Sequence, residues 1–139
     1  MAESRLDEVL TEAGVAAAYL FGSRASGRPR PDSDTDVAVV MSTGATVPGL
    51  LARESLALAL APLLGGGEVD LVVLDTAPLE LRARVVRTGR LLAAPDPVTR
   101  VRFEVDTQSR WFDVEPAHTE QTAAFLRRVA ERGLADVEG

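Results

Sequence analysis

"LFGSRASGRPRPDSDTDVAVV", Leu20 to Val40, decides how the chain is read. An apolar run stops at Gly22-Ser23. A polar loop with Arg24, Arg28 and Arg30 follows, and a second apolar run opens on Asp34 and Asp36. Strand side chains alternate between faces, so the two aspartates share one, with α-carbons roughly 6.6 Å apart. Ala38 and Val40 continue that face, and Val37 and Val39 line the other. Carboxylates beside an apolar run are costly to bury without a partner, and two like charges side by side cost more. A divalent cation relieves both: Mg²⁺ prefers oxygen ligands, typically one or two carboxylates plus the phosphates of a substrate. The pair reads as a metal site that a nucleotide completes. The plainer alternative is an edge strand that begins in water.

A third acid supports the metal reading. Asp70 lies in "EVDLVVLD" between apolar neighbours, where a third strand is expected. Asp75 is five residues later, on the other face and at the strand end, and Glu68 borders a glycine loop open to solvent. Asp70 is the better candidate. Asp34, Asp36 and Asp70 together could hold two metal ions, or one ion beside a general base. Upstream, glycine permits close backbone approach, and the amides and hydroxyl of Gly22-Ser23 can grip phosphate oxygens. Arg24, Arg28 and Arg30 add charge suited to phosphate. The spacing of Gly22 and Gly27 imitates a P-loop, but Arg28-Pro29 stands where Lys-Ser/Thr is required.

The remainder of the chain sets bounds. Its 139 residues suit one domain, 1–139, with a core and little room for a second. The composition, 46% hydrophobic and 26% charged, is that of a soluble globular protein. No run is long enough to span a bilayer, and "MAESRLDEVL" lacks signal-peptide order. Cysteine is absent, which excludes disulfides and thiolate metal sites and fits a cytoplasmic location. A net charge of −6 argues against general nucleic-acid binding. All 15 basic residues are arginine, so Schiff-base and Walker lysines are excluded. His118, the single histidine, cannot anchor a transition-metal site alone.

Periodicity places helices over about Glu3–Ala13, Leu50–Leu64 (ending near Pro62) and Pro78–Thr88, the last capped by Thr76. Strands are expected at Val15–Phe21, Thr35–Met41, Val69–Leu74 and the short "RLLAA". Asp96-Pro97 opens a further helix, with Val98, Val101, Val105 and Phe112 as its apolar stripe. Pro116 breaks or kinks it, and Thr119–Arg132 forms a last helix. The C-terminal part from about residue 97 is helical. This is an α/β (α+β) domain: a small mixed sheet flanked by helices.

Gly22-Ser23, ten residues, then Asp34-x-Asp36 is the pattern G-S-x₁₀-D-x-D. It resembles the minimal nucleotidyltransferases of the polymerase β superfamily, in particular MntA-type antitoxins paired with HEPN toxins. "VDLVVLDTAPLELRARVVRTGRLL" is similar to the same family, and the resemblance covers about Tyr19 to Trp111. It implies a polymerase-β-like palm in which Gly22 and Ser23 hold a triphosphate, Asp34 and Asp36 bind Mg²⁺ or Mn²⁺, and Asp70 is the third carboxylate. It further implies transfer of AMP from ATP to a tyrosine of a HEPN ribonuclease toxin. Serine at position 26 departs from the arginine frequent in the family, leaving Arg24 as the candidate phosphate contact. Two rivals stand beside this: an antitoxin that only occludes its toxin, and a transferase acting on a small molecule of aminoglycoside type. Homo- and hetero-oligomers both stay open. A chain this short is expected to receive its acceptor from another protein.

Overall fold

A computed structural model describes residues 2–22 and 34–133. Helix α1, Ala2–Glu12, turns Leu6, Val9 and Leu10 inward. Gly14, at φ 76°, reverses the chain, a left-handed turn that glycine adopts without penalty. Strand β1, Val15–Phe21, then enters the core. Strand β2, Thr35–Met41, pairs with it antiparallel, Tyr19 facing Ala38 and Phe21 facing Asp36. Both strands match their expected bounds, because each is apolar on both faces and both faces are covered.

Helix α2, Leu50–Leu60, ends in a 3₁₀ turn, Ala61–Leu64, with Pro62 near its start. The crossover delivers strand β3, Val69–Val73, parallel to β2. A short 3₁₀ turn, Leu74–Thr76, precedes α3, Leu79–Thr88. Strand β4, Arg90–Ala93, pairs antiparallel with β1. Helix α4, Pro97–Gly133, is the last described element. The mixed sheet runs β3-β2-β1-β4.

Helices cover both faces of the sheet. On one, Leu6, Leu10, Leu56 and Leu60 meet Val37 and Val39. On the other, Val85, Leu81 and Phe103 meet Ala38, Val40 and Tyr19. Fully burying each such side chain contributes roughly 1.5–3 kcal/mol. The Tyr19 hydroxyl donates to Glu104 at 2.6 Å, and Arg100 donates to the same carboxylate at 3.0 Å. This fastens α4 to β1. Burial and then the Glu104 carboxylate push the Tyr19 hydroxyl well above the ordinary tyrosine range. At the far end of β2, the Met41 amide donates to Asp75 at 2.9 Å.

Three expectations are corrected. Thr76 does not cap α3. Pro78 occupies the capping position, and the Thr76 hydroxyl donates to the Val73 carbonyl at 3.4 Å. Pro116 does not divide the last helix; α4 continues through it to Gly133. A proline removes one amide hydrogen bond, and the bonds on either side sustain the element. Finally, Val98, Val101, Val105 and Phe112 do not face the core but lie exposed, Phe112 at 65%. Helix α4 packs instead through Phe103, Thr107 and Trp111, spaced four apart, with Arg87 over the Trp111 ring at 5.6 Å. Among the described residues no helix is long and apolar enough to cross a membrane.

Candidate functional site

The site forms where β1 ends and where β2 and β3 begin. The antiparallel ladder sets Phe21, the last residue of β1, opposite Asp36, which brings Gly22 beside that carboxylate. Gly22 has φ 77°, where an L side chain is strained. A β-carbon there would run into the Asp36 carboxylate itself, with the Asp36 γ-carbon only 3.1 Å away. Glycine is therefore required twice over, by the turn and by the approach. Its small size lets the backbone turn that follows β1 lie directly against the acid.

From the other side, parallel pairing sets Asp36 in register with Asp70. Side chains in register on adjacent strands share a face, so Asp36 stands between the Gly22 turn and Asp70. Asp34 precedes β2, and the neighbouring Thr35 amide donates to the Glu68 carbonyl at 2.8 Å. Burial, then the charges of Asp70 and Asp34, push the Asp36 carboxyl above its ordinary value. The carboxylates of Asp34 and Asp70 therefore add like charge beside a partly buried Asp36. Asp34 and Asp70 are exposed and Asp36 is half-buried. They occupy the rim of the sheet, where β2 emerges from beneath its helices.

Among the described residues no three acids or histidines form a ready-made metal cage. Ser23 and Arg24, like Arg28 and Arg30, lie outside the described residues.

An open groove of about 610 Å³ adjoins the acids on the β3 side. Its lining includes Asp34, Glu54, Leu58, Glu68 and Asp70. Sequence reasoning passed over Glu54 and Leu58. A signal existed: in a helix, Leu56 and Leu60 share one face and Leu58 must point elsewhere, so "LALAL" holds one leucine more than the core uses.

Comparison with known proteins agrees with this geometry. A family model described as polymerase beta, nucleotidyltransferase, matches residues 5–97. No curated protein matches the sequence significantly. Among solved structures, the chain is similar to one in a toxin–antitoxin complex with AMP-PNP. The identity is 28% and the TM-score 0.65, over 91% of this chain and 99% of that one. It is also similar to a chain in the complex of tri-AMPylated Shewanella oneidensis HEPN toxin with MNT antitoxin. Here the identity is 27% and the TM-score 0.59, over 90% of this chain and 96% of that one. An MntA–HepT toxin–antitoxin structure matches at 27% identity and TM-score 0.59, over 90% and 97% of the two chains.

Proposed function

The chain belongs to the polymerase beta nucleotidyltransferase family, and on that footing we propose that it transfers AMP from ATP to a tyrosine hydroxyl of a HEPN-type toxin, so acting as antitoxin. The carrying observation is the apposition of the Gly22 turn, Asp36 and Asp70 at one rim of the sheet. The neighbouring complexes, one with AMP-PNP and one with an AMPylated toxin, support the donor and the acceptor.

The residues present fit a divalent cation. Asp36 is held above its ordinary value partly by two other carboxylates, a repulsion that a hard cation relieves. Asp34 and Asp36, with Asp70 as third ligand, would hold it, Mg²⁺ being preferred for oxygen ligands shared with phosphates. When bound, it supplies charge neutralisation to the triphosphate and the departing pyrophosphate. The chain's own groups do the positioning. The Gly22-Ser23 backbone and Arg24 grip the triphosphate, because amide and guanidinium donors match phosphate oxygens. Asp70 orients the acceptor hydroxyl. The acceptor oxygen bonds to the α-phosphorus, the bond from that phosphorus to the pyrophosphate oxygen breaks, and the hydroxyl proton passes to the Asp70 carboxylate and on to water. We read the chain as a single minimal domain, carrying α4 as an extension and acting in the cytoplasm, where ATP is available.

One observation favours occlusion without chemistry: the exposed stripe Val98, Val101, Val105 and Phe112 offers a partner an apolar surface. The same experiment separates the two readings. The partner toxin, Mg²⁺ and ATP labelled at the α-phosphate are incubated with wild type and with Asp36→Asn. Label on the toxin with wild type alone is expected. Neutralisation by both proteins without any label would leave occlusion as the function.

A further inference from the structure

Side chains four apart share a face of a helix, and on α3 each such row has its own surroundings. Leu81 and Val85 pack on the sheet with Ala38, Val72 and Phe21. That is the face of Asp36, which stands opposite Phe21 on the ladder. Ala83 is buried, and Arg87, one turn later, lies over the Trp111 ring of α4. The row of Glu80, Arg84 and Thr88 is exposed and lies on the flank of α3 away from α4. Topology decides what that flank overlooks. Helix α4 starts at the end of the sheet distant from the acids, where the Asp96 amide donates to the Ala16 carbonyl at 3.1 Å and the Thr43 and Thr99 hydroxyls are 3.4 Å apart. Helix α3 leads from the end of β3 back to the acid rim, where Gly89 abuts β1; a β-carbon there would lie 3.4 Å from the Leu20 carbonyl oxygen. Helix α3 therefore stands between α4 and the acids, and its exposed flank faces the rim where Asp36 meets the Gly22 turn.

Resting on the nucleotidyltransferase reading, we propose that Arg84 is a phosphate-binding residue of the donor site, holding the β- and γ-phosphates that leave as pyrophosphate. The acids make this rim negative, and the last carbonyls of α3 add partial negative charge where the helix ends. A triphosphate approaching from that side needs a cation. Arg87, in the last turn of α3, is engaged over Trp111. Arg84 lies one turn before Thr88, is exposed, and has a guanidinium that can fork across two phosphate oxygens. Because α3 ends against β1, Arg84 serves the Gly22 side of the acids, where the triphosphate is gripped, and Asp70 on β3 is left to the acceptor. Charge that develops on the departing pyrophosphate is then met by a fixed donor.

The test uses the full chain with Mg²⁺ and reads ATP and AMP binding by calorimetry. No acceptor is present, so the result is independent of label transfer. Arg84→Ala should weaken ATP about 10- to 100-fold, the scale of a charge-assisted bond, and leave AMP nearly unchanged. Arg84→Lys should recover part of the loss. Arg5→Ala removes the same charge from α1, on the opposite face of the sheet, and should bind ATP as wild type does. Melting temperatures of all three variants should match wild type, since both positions are exposed. Unchanged ATP affinity in Arg84→Ala overturns the proposal, and loss of toxin affinity in that variant with ATP binding intact would assign the side chain to the acceptor instead. Equal losses for ATP and AMP overturn it too, as does an equal loss in Arg5→Ala, which would reduce the effect to overall charge. If wild type binds no ATP, the nucleotidyltransferase reading falls and the proposal with it. If ATP binding depends on Arg84 while no label reaches the toxin, the contact stands and the transfer reaction alone fails.

Discussion

Replacing Gly22 by alanine tests the centre of the site. Two costs arise. The backbone at φ 77° penalises any L side chain by roughly 1–2 kcal/mol. The new β-carbon also overlaps the Asp36 carboxylate, which must turn away from its preferred rotamer at a cost of roughly 0.5–1.5 kcal/mol. Gly22→Ala should thus destabilise by about 1.5–3.5 kcal/mol, summing the two. A second background separates them. In Asp36→Ala the nearest Asp36 atom left is its β-carbon, 3.4 Å from the added methyl, an ordinary contact. There Gly22→Ala should cost only the backbone part. Urea denaturation of the four proteins in the cycle measures the difference. In the transfer assay, Gly22→Ala should lose on the order of 100-fold, because a group misplaced by about 1 Å costs that much. If the cost of Gly22→Ala is the same in both backgrounds within about 0.5 kcal/mol, the close approach to Asp36 is refuted. If the single variant also transfers AMP normally, the site assignment falls with it.

Three further outcomes are expected. Asp36 has its folded-state pKa raised, so its contribution favours folding while it is protonated and is lost as pH rises through that folded value. Asp36→Asn should therefore unfold at a higher temperature than wild type near neutral pH, the gain vanishing in acid, and Mg²⁺ should raise the melting temperature of wild type but not of this variant. Tyr19→Phe removes the 2.6 Å hydrogen bond to Glu104 and should cost about 1.5–3 kcal/mol in urea denaturation, as for bonds to charged groups. Asp96 caps α4, accepting from the Thr99 hydroxyl at 2.7 Å and the Thr99 amide at 3.3 Å, and these bonds hold its carboxyl below the ordinary value. Its contribution is present above the unfolded carboxylate pKa and lost as pH falls through the folded value, so melting curves of Asp96→Ala and wild type should separate at neutral pH and converge in acid.

Legibility tracked how local each feature is. β1 and β2 were readable to the residue because a strand covered on both faces is apolar throughout, and because Gly22 and Asp34 mark the breaks. The Asp96 cap was readable from the Asp-Pro pair, and the shared face of Asp34 and Asp36 was suggested by their spacing. The register of Asp36 with Asp70 was not, since it depends on a parallel pairing that the α2 crossover creates over some thirty intervening positions. The face of α4 was misjudged for a related reason. Two stripes compete on that helix, one valine-rich and one through Phe103, Thr107 and Trp111, and periodicity cannot say which of them meets the sheet. Arg87 of α3 decides it by lying over the Trp111 ring. The surplus leucine at position 58 was visible, but a groove has no meaning until β3 is placed at the sheet edge.

The two kinds of strand connection divide the molecule's inheritance. Phe21, next to Gly22, and Asp36 face each other on one antiparallel pair, β1 and β2, whose ladder leaves little freedom to alter either alone. The third acid and the groove arrive by a separate crossover through α2. A change within residues 50–68 therefore alters the groove beside Asp70 while leaving untouched the β1–β2 ladder that sets Gly22 against Asp36, much as a tool keeps its handle when its head is changed.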